Sequence, residues 1–279
     1  MSTEQLLNPQ STKCSNCSSM AAKFLCSRCG ISTYCNAACQ KAHWTNGHKK
    51  GCINIQQFTI ELDRQKVLLG LDHPEVLSLM EKLADGYCQQ GKHDLAESLL
   101  VQCVEKRRVI DAEHPEVLLA IMEKLADVYC KRNKHNLAES LLVDCFEKRK
   151  AINPDHPKCL HIMDKLGSVY SEQNKYSLAK SLLVPCLAKR RSILGEYNPE
   201  TITTIYNLAL LYDNRRKFSK SEPLLLECFE KSRLILGNDH PQFKLVMCLM
   251  CASYAAQDRV MESQPLFIEM TQRIRARFN

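Results

Sequence analysis

MEKLADGYCQQGKHDLAESLLVQCVEKRRVI, residues 80–110, and MEKLADVYCKRNKHNLAESLLVDCFEKRKAI, residues 122–152, are nearly the same segment written twice. His-Pro recurs at 73/74, 114/115, 156/157 and 240/241, and Asn198-Pro199 fills the remaining gap. The steps are 41, 42, 42 and 42 residues. A fixed period of this length means stacked supersecondary units, each with a face it cannot bury alone.

Each unit reads as two helices. The proline suits the first helical turn, where its missing N–H costs nothing. Val76, Leu79, Met80, Leu83 and Tyr87 then recur at three- and four-residue steps. A polar break follows at 89–92, and a second helix runs from near Asp94 to about Val109. Small residues hold one register position (Ala84, Ala126, Gly167, Ala209, Cys251) and a second one (Ala96, Ala138, Ala179, Ser221, Ser263). They let two helices approach closely, with Tyr87, Tyr129, Tyr170, Tyr212 and Tyr254 wedged between. Cys103, Cys145, Cys186 and Cys228 stand sixteen residues after a tyrosine and read as core residues, not as a metal site. The His of each His-Pro pair reads as a helix-start residue. Basic triplets close the second helices: Lys106-Arg107-Arg108, Lys148-Arg149-Lys150 and Lys189-Arg190-Arg191. They read as cations complementing helix C-termini, since they recur because the repeat recurs.

Composition agrees with a helical chain. The 279 residues are 45% hydrophobic and 6% aromatic, with 9 Gly and 10 Pro, a profile that favours helices over a strand-rich sandwich. The first thirteen residues lack the apolar core of a signal peptide. No stretch approaches the ~18 apolar residues of a membrane span. The expectation is a cytoplasmic or nuclear chain that keeps its thiols reduced. Of the 16 Cys, seven fall within residues 14–52, and dense Cys in a reducing compartment points to metal.

Those seven and one histidine follow the spacing C-x2-C-x8-C-x2-C-x5-C-x3-C-x8-H-x3-C, at Cys14, Cys17, Cys26, Cys29, Cys35, Cys39, His48 and Cys52. A C-x2-C turn converges two thiolates on one metal, and C-x3-C or H-x3-C sets two ligands one helical turn apart. Eight ligands make two closed tetrahedral Zn2+ sites, which are structural rather than catalytic. A segment this short and this poor in large apolar residues needs that ligation, at roughly 10–16 kcal/mol per structural site. Spacing alone allows either sequential or interleaved pairing. His43 lies nine residues before Cys52, outside the one-turn spacing, and reads as a surface residue. Seven thiolates and two Zn2+ would take the formal charge of +7 to +4, too little to argue for nucleic acid.

The ligand set, with the run Cys39-Gln40-Lys41-Ala42-His43-Trp44 before His48 and Cys52, resembles the MYND-type zinc finger. The resemblance implies interleaved sites: Cys14, Cys17, Cys35 and Cys39 on one zinc, Cys26, Cys29, His48 and Cys52 on the other. It also implies binding of short proline-rich peptides, with Gln40 and Trp44 at the contact positions. An indole face suits proline rings, and a carboxamide suits peptide backbone. The repeats resemble the tetratricopeptide repeat in the 42-residue form of kinesin light chains. That implies a mainly α chain, an α-α superhelix of five two-helix units over 71–279. The expected organisation is a tail (1–13), the finger (14–52), a linker or capping helix (53–70) and the solenoid.

In such a solenoid the first helices line a groove that takes peptides. The positions that should point into it are Lys82, Lys124, Lys165 and Asn207, with Asp85 and Asp127 one turn along. Kinesin-light-chain-like grooves use Asn here to grip peptide backbone, and only Asn207 keeps it. A row of lysines favours acidic groups, unless the lysines are neutralised by the neighbouring acids.

The expected function is a non-enzymatic scaffold for protein or peptide ligands. SET–MYND lysine methyltransferases combine the same two modules but need a split SET domain around the finger. Here thirteen residues precede Cys14 and repeats follow soon after Cys52. A fragment of such an enzyme is one alternative. A nucleic-acid-binding regulator is another, argued against by the low charge and by too few aromatics for a stacking platform.

Overall fold

The computed structural model describes residues 24–25, 33–34, 37–43, 55–110, 115–237, 240–259, 261 and 264. Two short strands, β1 (Phe24–Leu25) and β2 (Thr33–Tyr34), pair antiparallel with Phe24 opposite Tyr34. Helix α1 (Ala37–His43) follows and packs on β2. All the other long elements are helices. The residues divide into two compact units, with the boundary between Asn133 and Lys134.

The first unit holds α2 (Ile55–Leu69), α3 (Pro74–Gln89), α4 (His93–Ile110) and α5 (Pro115–Lys131). Each of these packs on the next. Helix α2 occupies the segment expected to form a lone second helix before the first full pair. The second unit holds α6 (His135–Ile152), α7 (Pro157–Glu172), α8 (Tyr176–Leu194), α9 (Pro199–Asn214), α10 (Phe218–Ile235) and α11 (Pro241–Ala255). Consecutive helices pack there too, and the first helices of successive pairs touch, α7 with α9 and α9 with α11.

The helix starts come from the residue before each proline. Nδ1 of His73, His156 and His240 accepts the backbone N–H of Glu75, Lys158 and Gln242 at 3.3, 3.1 and 3.2 Å. Asn198 Oδ1 does the same for Glu200 at 2.8 Å. Each caps one of the donors that a helix N-terminus leaves unpaired. The histidines therefore serve as helix-start residues. The turn within each pair needs a left-handed residue. Gly91 (φ +72°) and Asn133 or Asn174 (φ 57° and 61°) supply it readily, while Arg216 holds φ 52° with a full side chain.

The small residues sit where the helices meet. Ala84, Ala96, Ala138, Ala179 and Ala209 are fully buried. Gly167 stands at a close approach: a Cβ there would be 2.6 Å from Leu183 Cγ. In the second unit Tyr254 is buried in the core and Tyr170 and Tyr212 pack against it. Cys103, Cys145, Cys186 and Cys228 have no exposure at all. Three of their thiols reach carbonyls of the first helix of their own pair, Leu77, Leu160 and Ile202. Burial pushes these same three up to about 12, so they stay protonated and serve as packing residues.

Candidate interaction surfaces

Of the eight expected zinc ligands, Cys39 lies among the described residues. It is half-buried on α1, beside the half-buried Gln40. Cys14, Cys17, Cys26, Cys29, Cys35, His48 and Cys52 lie outside the described residues, as does Trp44. Among the described residues no three His, Cys, Asp or Glu side chains gather as a metal site. The donor set of seven thiolates and one imidazole suits zinc, and the one ligand described sits on a short helix packed on the hairpin's second strand.

The first-helix faces differ between the two units. In the first, Lys82 is exposed on α3. Lys124 on α5 reaches back to Asp85 on α3, with Nζ 2.8 and 3.0 Å from the two carboxylate oxygens. Both side chains are about two-fifths exposed, 42% and 43%, so the pair is screened by water and contributes little to stability. It does neutralise the lysine, as the charge pattern allowed. In the second unit, half-buried Lys165 stands on α7 and half-buried Asn207 on α9. Asn207 donates from Nδ2 to Asp164 Oδ2 at 3.0 Å, so here a carboxamide rather than a lysine bridges successive first helices.

The basic triplets differ from their sequence reading. Their outer lysines behave as surface cations: Lys106 pairs with Asp72, and Lys189 with Asp155 at 2.6 Å. The middle residue of each is buried: Arg107 (8% exposed), Arg149 (5%) and Arg190 (0%). Each stands four residues after a core cysteine, which turns it to the same inner face. Arg107 Nη2 is 3.0 Å from Glu81 Oε1, and Arg190 Nη1 is 3.5 Å from Asp164 Oδ2. The acid lies three residues before the small residue of the first helix in each case. In the fourth pair both partners change together, to Tyr206 and Ser232. The four-residue spacing from cysteine was the signal for this buried pair, and the regular C-terminal position of the triplets masked it. Burial pushes the Asp164 carboxyl up, and Arg190, Asn207 and Thr204 draw it back only in part. Burial likewise raises Glu81 despite Arg107 beside it.

Residues 14–52, from the first expected ligand to the last, match the family model of the MYND finger. Tetratricopeptide repeat models match residues 76–116, 117–184 and 201–242. The chain is a MYND finger followed by tetratricopeptide repeats. A MYND finger implies zinc binding, and both modules are protein–protein interaction modules, so the chain is in general terms an interaction adaptor. No curated protein sequence matches it. Solved structures similar to this MYND–tetratricopeptide chain include BtubC from P. vanneervenii, at 18% identity and a TM-score of 0.61, covering 81% of this chain and 89% of that one. A kinesin-light-chain-like protein of Podosopora anserina with nearly identical tetratricopeptide-like repeats is 22% identical, with a TM-score of 0.59 over 71% of this chain and 93% of its own. NprR, solved with its cognate peptide NprX, is 16% identical with a TM-score of 0.57, covering 77% of this chain and 61% of that one. These likenesses show the α-α solenoid fold. No helix among the described residues is long and apolar enough to cross a membrane.

Proposed function

We propose that the chain is a non-catalytic adaptor that joins two partners. The finger closes on two structural zinc ions, held by Cys14, Cys17, Cys26, Cys29, Cys35, Cys39, His48 and Cys52. It presents Gln40 and Trp44 to short proline-rich peptides. The first-helix faces of the repeats take a second protein, through Lys82 and Lys124 in one unit and Lys165 and Asn207 in the other. The observation that carries this reading is the MYND match that begins and ends on the outermost ligands and is followed directly by repeats of an interaction family. All eight ligands are used in closed sites, which leaves no metal position for chemistry. NprR, of the same fold, is solved with a peptide bound.

The Lys124–Asp85 pair shapes the expected specificity. A lysine already neutralised attracts an acidic partner less than an unpaired one, so Lys124 contributes less to acidic recognition than its place in the row suggests.

The test is a random-peptide display selection on the full chain, repeated with Trp44→Ala and with Lys82, Lys124 and Lys165 changed to Glu. Proline-rich peptides lost only with Trp44→Ala, and a second class lost only with the charge reversals, are expected. Failure to enrich any peptide would overturn short-motif recognition on both surfaces.

A further inference from the structure

Successive pairs are pinned together at their turns by a recurring ion pair. A cation in the turn of one pair reaches an acid near the start of the preceding pair's second helix. Arg132 reaches Asp94 and Glu97 on α4. Lys175 Nζ is 2.6 Å from Glu139 Oε2 on α6. Arg259 Nη1 and Nη2 each stand 2.9 Å from a Glu222 oxygen on α10. Glu97, Glu139 and Glu222 directly follow the small residues Ala96, Ala138 and Ser221. Between the third and fourth pairs this register carries Lys180, after Ala179. The turn of the fourth pair reads Arg215-Arg216-Lys217, with Lys220 in the first turn of α10.

This junction therefore brings base against base. The Arg215 guanidinium stacks over the Tyr176 ring, 5.6 Å from its centroid. Tyr176 and Lys180 stand four residues apart on α8, so one face presents both. Lys220 Nζ lies 6.0 Å from the Tyr212 centroid. Lys180, Arg215, Arg216, Lys217 and Lys220 are all exposed, and among the described residues no carboxylate pairs with any of them. The acids nearest the turn in sequence are turned to other partners. Asp213 is half-buried and accepts the Ser221 hydroxyl at 3.5 Å, and Glu222 holds Arg259. Arg216 is also the left-handed residue of its turn, at φ 52°, a place that Asn133 and Asn174 fill in two other pairs. Strain of that kind points to a side chain with a use beyond the fold, and Arg216 makes no ion pair within it.

We propose that this cluster is a docking site for a phosphorylated side chain of a partner protein. The cations gather round one turn rather than forming a row, which matches a single multivalent anion. A phosphate monoester carries a charge of about −1.5 to −2 on three acceptor oxygens, and a guanidinium fork can bind two of them at once. Lys217 caps α10 without a side-chain hydrogen bond, which leaves backbone donors of that helix start to the same anion. A nucleic-acid strand needs a longer basic track than one turn supplies, and the repeats belong to a protein–protein interaction family. The site lies on a turn and on second helices, so it is independent of the finger and of the first-helix faces.

The experiment uses the full chain and short random peptides with a central phosphoserine, phosphothreonine or phosphotyrosine. Each pool is matched by an unmodified pool and by one with glutamate at the centre. The wild type is expected to retain a phosphorylated pool at least about tenfold over both, the scale of one charge-assisted hydrogen bond. Lys180→Glu installs the acid that the other junctions carry, so it should fold and lose that preference. Arg216→Asn supplies the residue that two other turns use at positive φ; it should keep the fold and cut the preference about fivefold. Arg108→Glu makes the same charge change at an exposed position of the first unit and should leave the preference unchanged. Helical circular dichroism checks the fold of each variant, and Arg216→Asn decides alone should Lys180→Glu unfold. An undiminished preference in either folded variant overturns the inference. Equal retention of the phosphorylated and glutamate pools, or retention of neither, also overturns it. So does a DNA duplex, or a phosphatidylcholine vesicle carrying phosphoinositide, that binds more tightly than the best peptide and is lost in the same variants.

Discussion

Gly167→Ala adds one methyl group where α7 meets α8. The new Cβ would stand 2.6 Å from Leu183 Cγ and 2.8 Å from its Cδ2, against an optimal carbon–carbon separation of about 3.5–4.0 Å. Leu183 is itself fully buried, so it has no open rotamer to retreat into. Overpacking of this kind costs about 1–3 kcal/mol. Alanine returns up to about 1 kcal/mol, because glycine is the poorer helix former. The net expectation is a loss of roughly 1–2 kcal/mol. Three other pairs carry alanine at this register, Ala84, Ala126 and Ala209, each with leucine sixteen residues on, as Gly167 has Leu183. The α7/α8 pair is thus packed closer than the repeat requires, and the variant forces it apart. Urea unfolding followed by helical circular dichroism measures the shift in midpoint. A double-mutant cycle isolates the contact. Leu183→Ala alone should cost about 2–5 kcal/mol and distinctly less in the Gly167→Ala background, since touching residues couple. Strict additivity, or a Gly167→Ala protein as stable as the wild type, would refute the reasoning.

Removing the N-cap acceptor with His156→Ala should cost about 1 kcal/mol, whereas His156→Asn should stay close to wild type; thermal unfolding of both variants checks this. Burial alone would raise the Glu227 carboxyl, but hydrogen bonds from Lys231 at 2.7 Å and Arg191 at 2.6 and 2.8 Å hold it below its ordinary value. Its contribution is therefore complete above the unfolded value of about 4.3 and is lost as pH falls through the lower folded value. The stability gap between wild type and Glu227→Gln should be constant from pH 7 to about 5 and shrink below that. Chelation of zinc should unfold the finger and leave the helical signal largely unchanged, and a large loss of helix would contradict independent modules. Cys103→Ala should keep two zinc ions per chain by metal analysis, a drop indicating that repeat cysteines take part in metal binding.

The helical architecture was legible because the repeat writes it several times over. His-Pro or Asn-Pro marked the first helix of each pair, and the hydrogen bonds accepted by His73, His156, Asn198 and His240 give the physical reason. The core cysteines were legible from register alone. The buried arginines were not. A cation near a helix C-terminus has a sufficient surface explanation, and only its four-residue offset from a buried cysteine says otherwise. Arg216 in the left-handed turn carries no local signal, since arginine is not chosen for positive φ; the turn length imposes it. On the first-helix faces the sequence placed Lys124 and Asp85 near each other, but not the direction of Asn207. Asn207 donates to Asp164, an acid on another helix that lies 3.5 Å from Arg190 on a third.

The paired change from Asp164 and Arg190 to Tyr206 and Ser232 has a consequence for anyone who would rearrange the chain. Joining the first helix of the fourth pair to the second helix of the third would enclose a guanidinium with no acid of its own pair. The opposite splice would enclose a carboxylate with no base. Loss of one partner from a buried ion pair costs about 3–5 kcal/mol, a large fraction of a domain's stability. Half-repeats are therefore not interchangeable parts, whereas a cut between whole pairs keeps Asp164 with Arg190. Deletion or duplication in steps of a complete period preserves this buried pair, and shuffling within one does not.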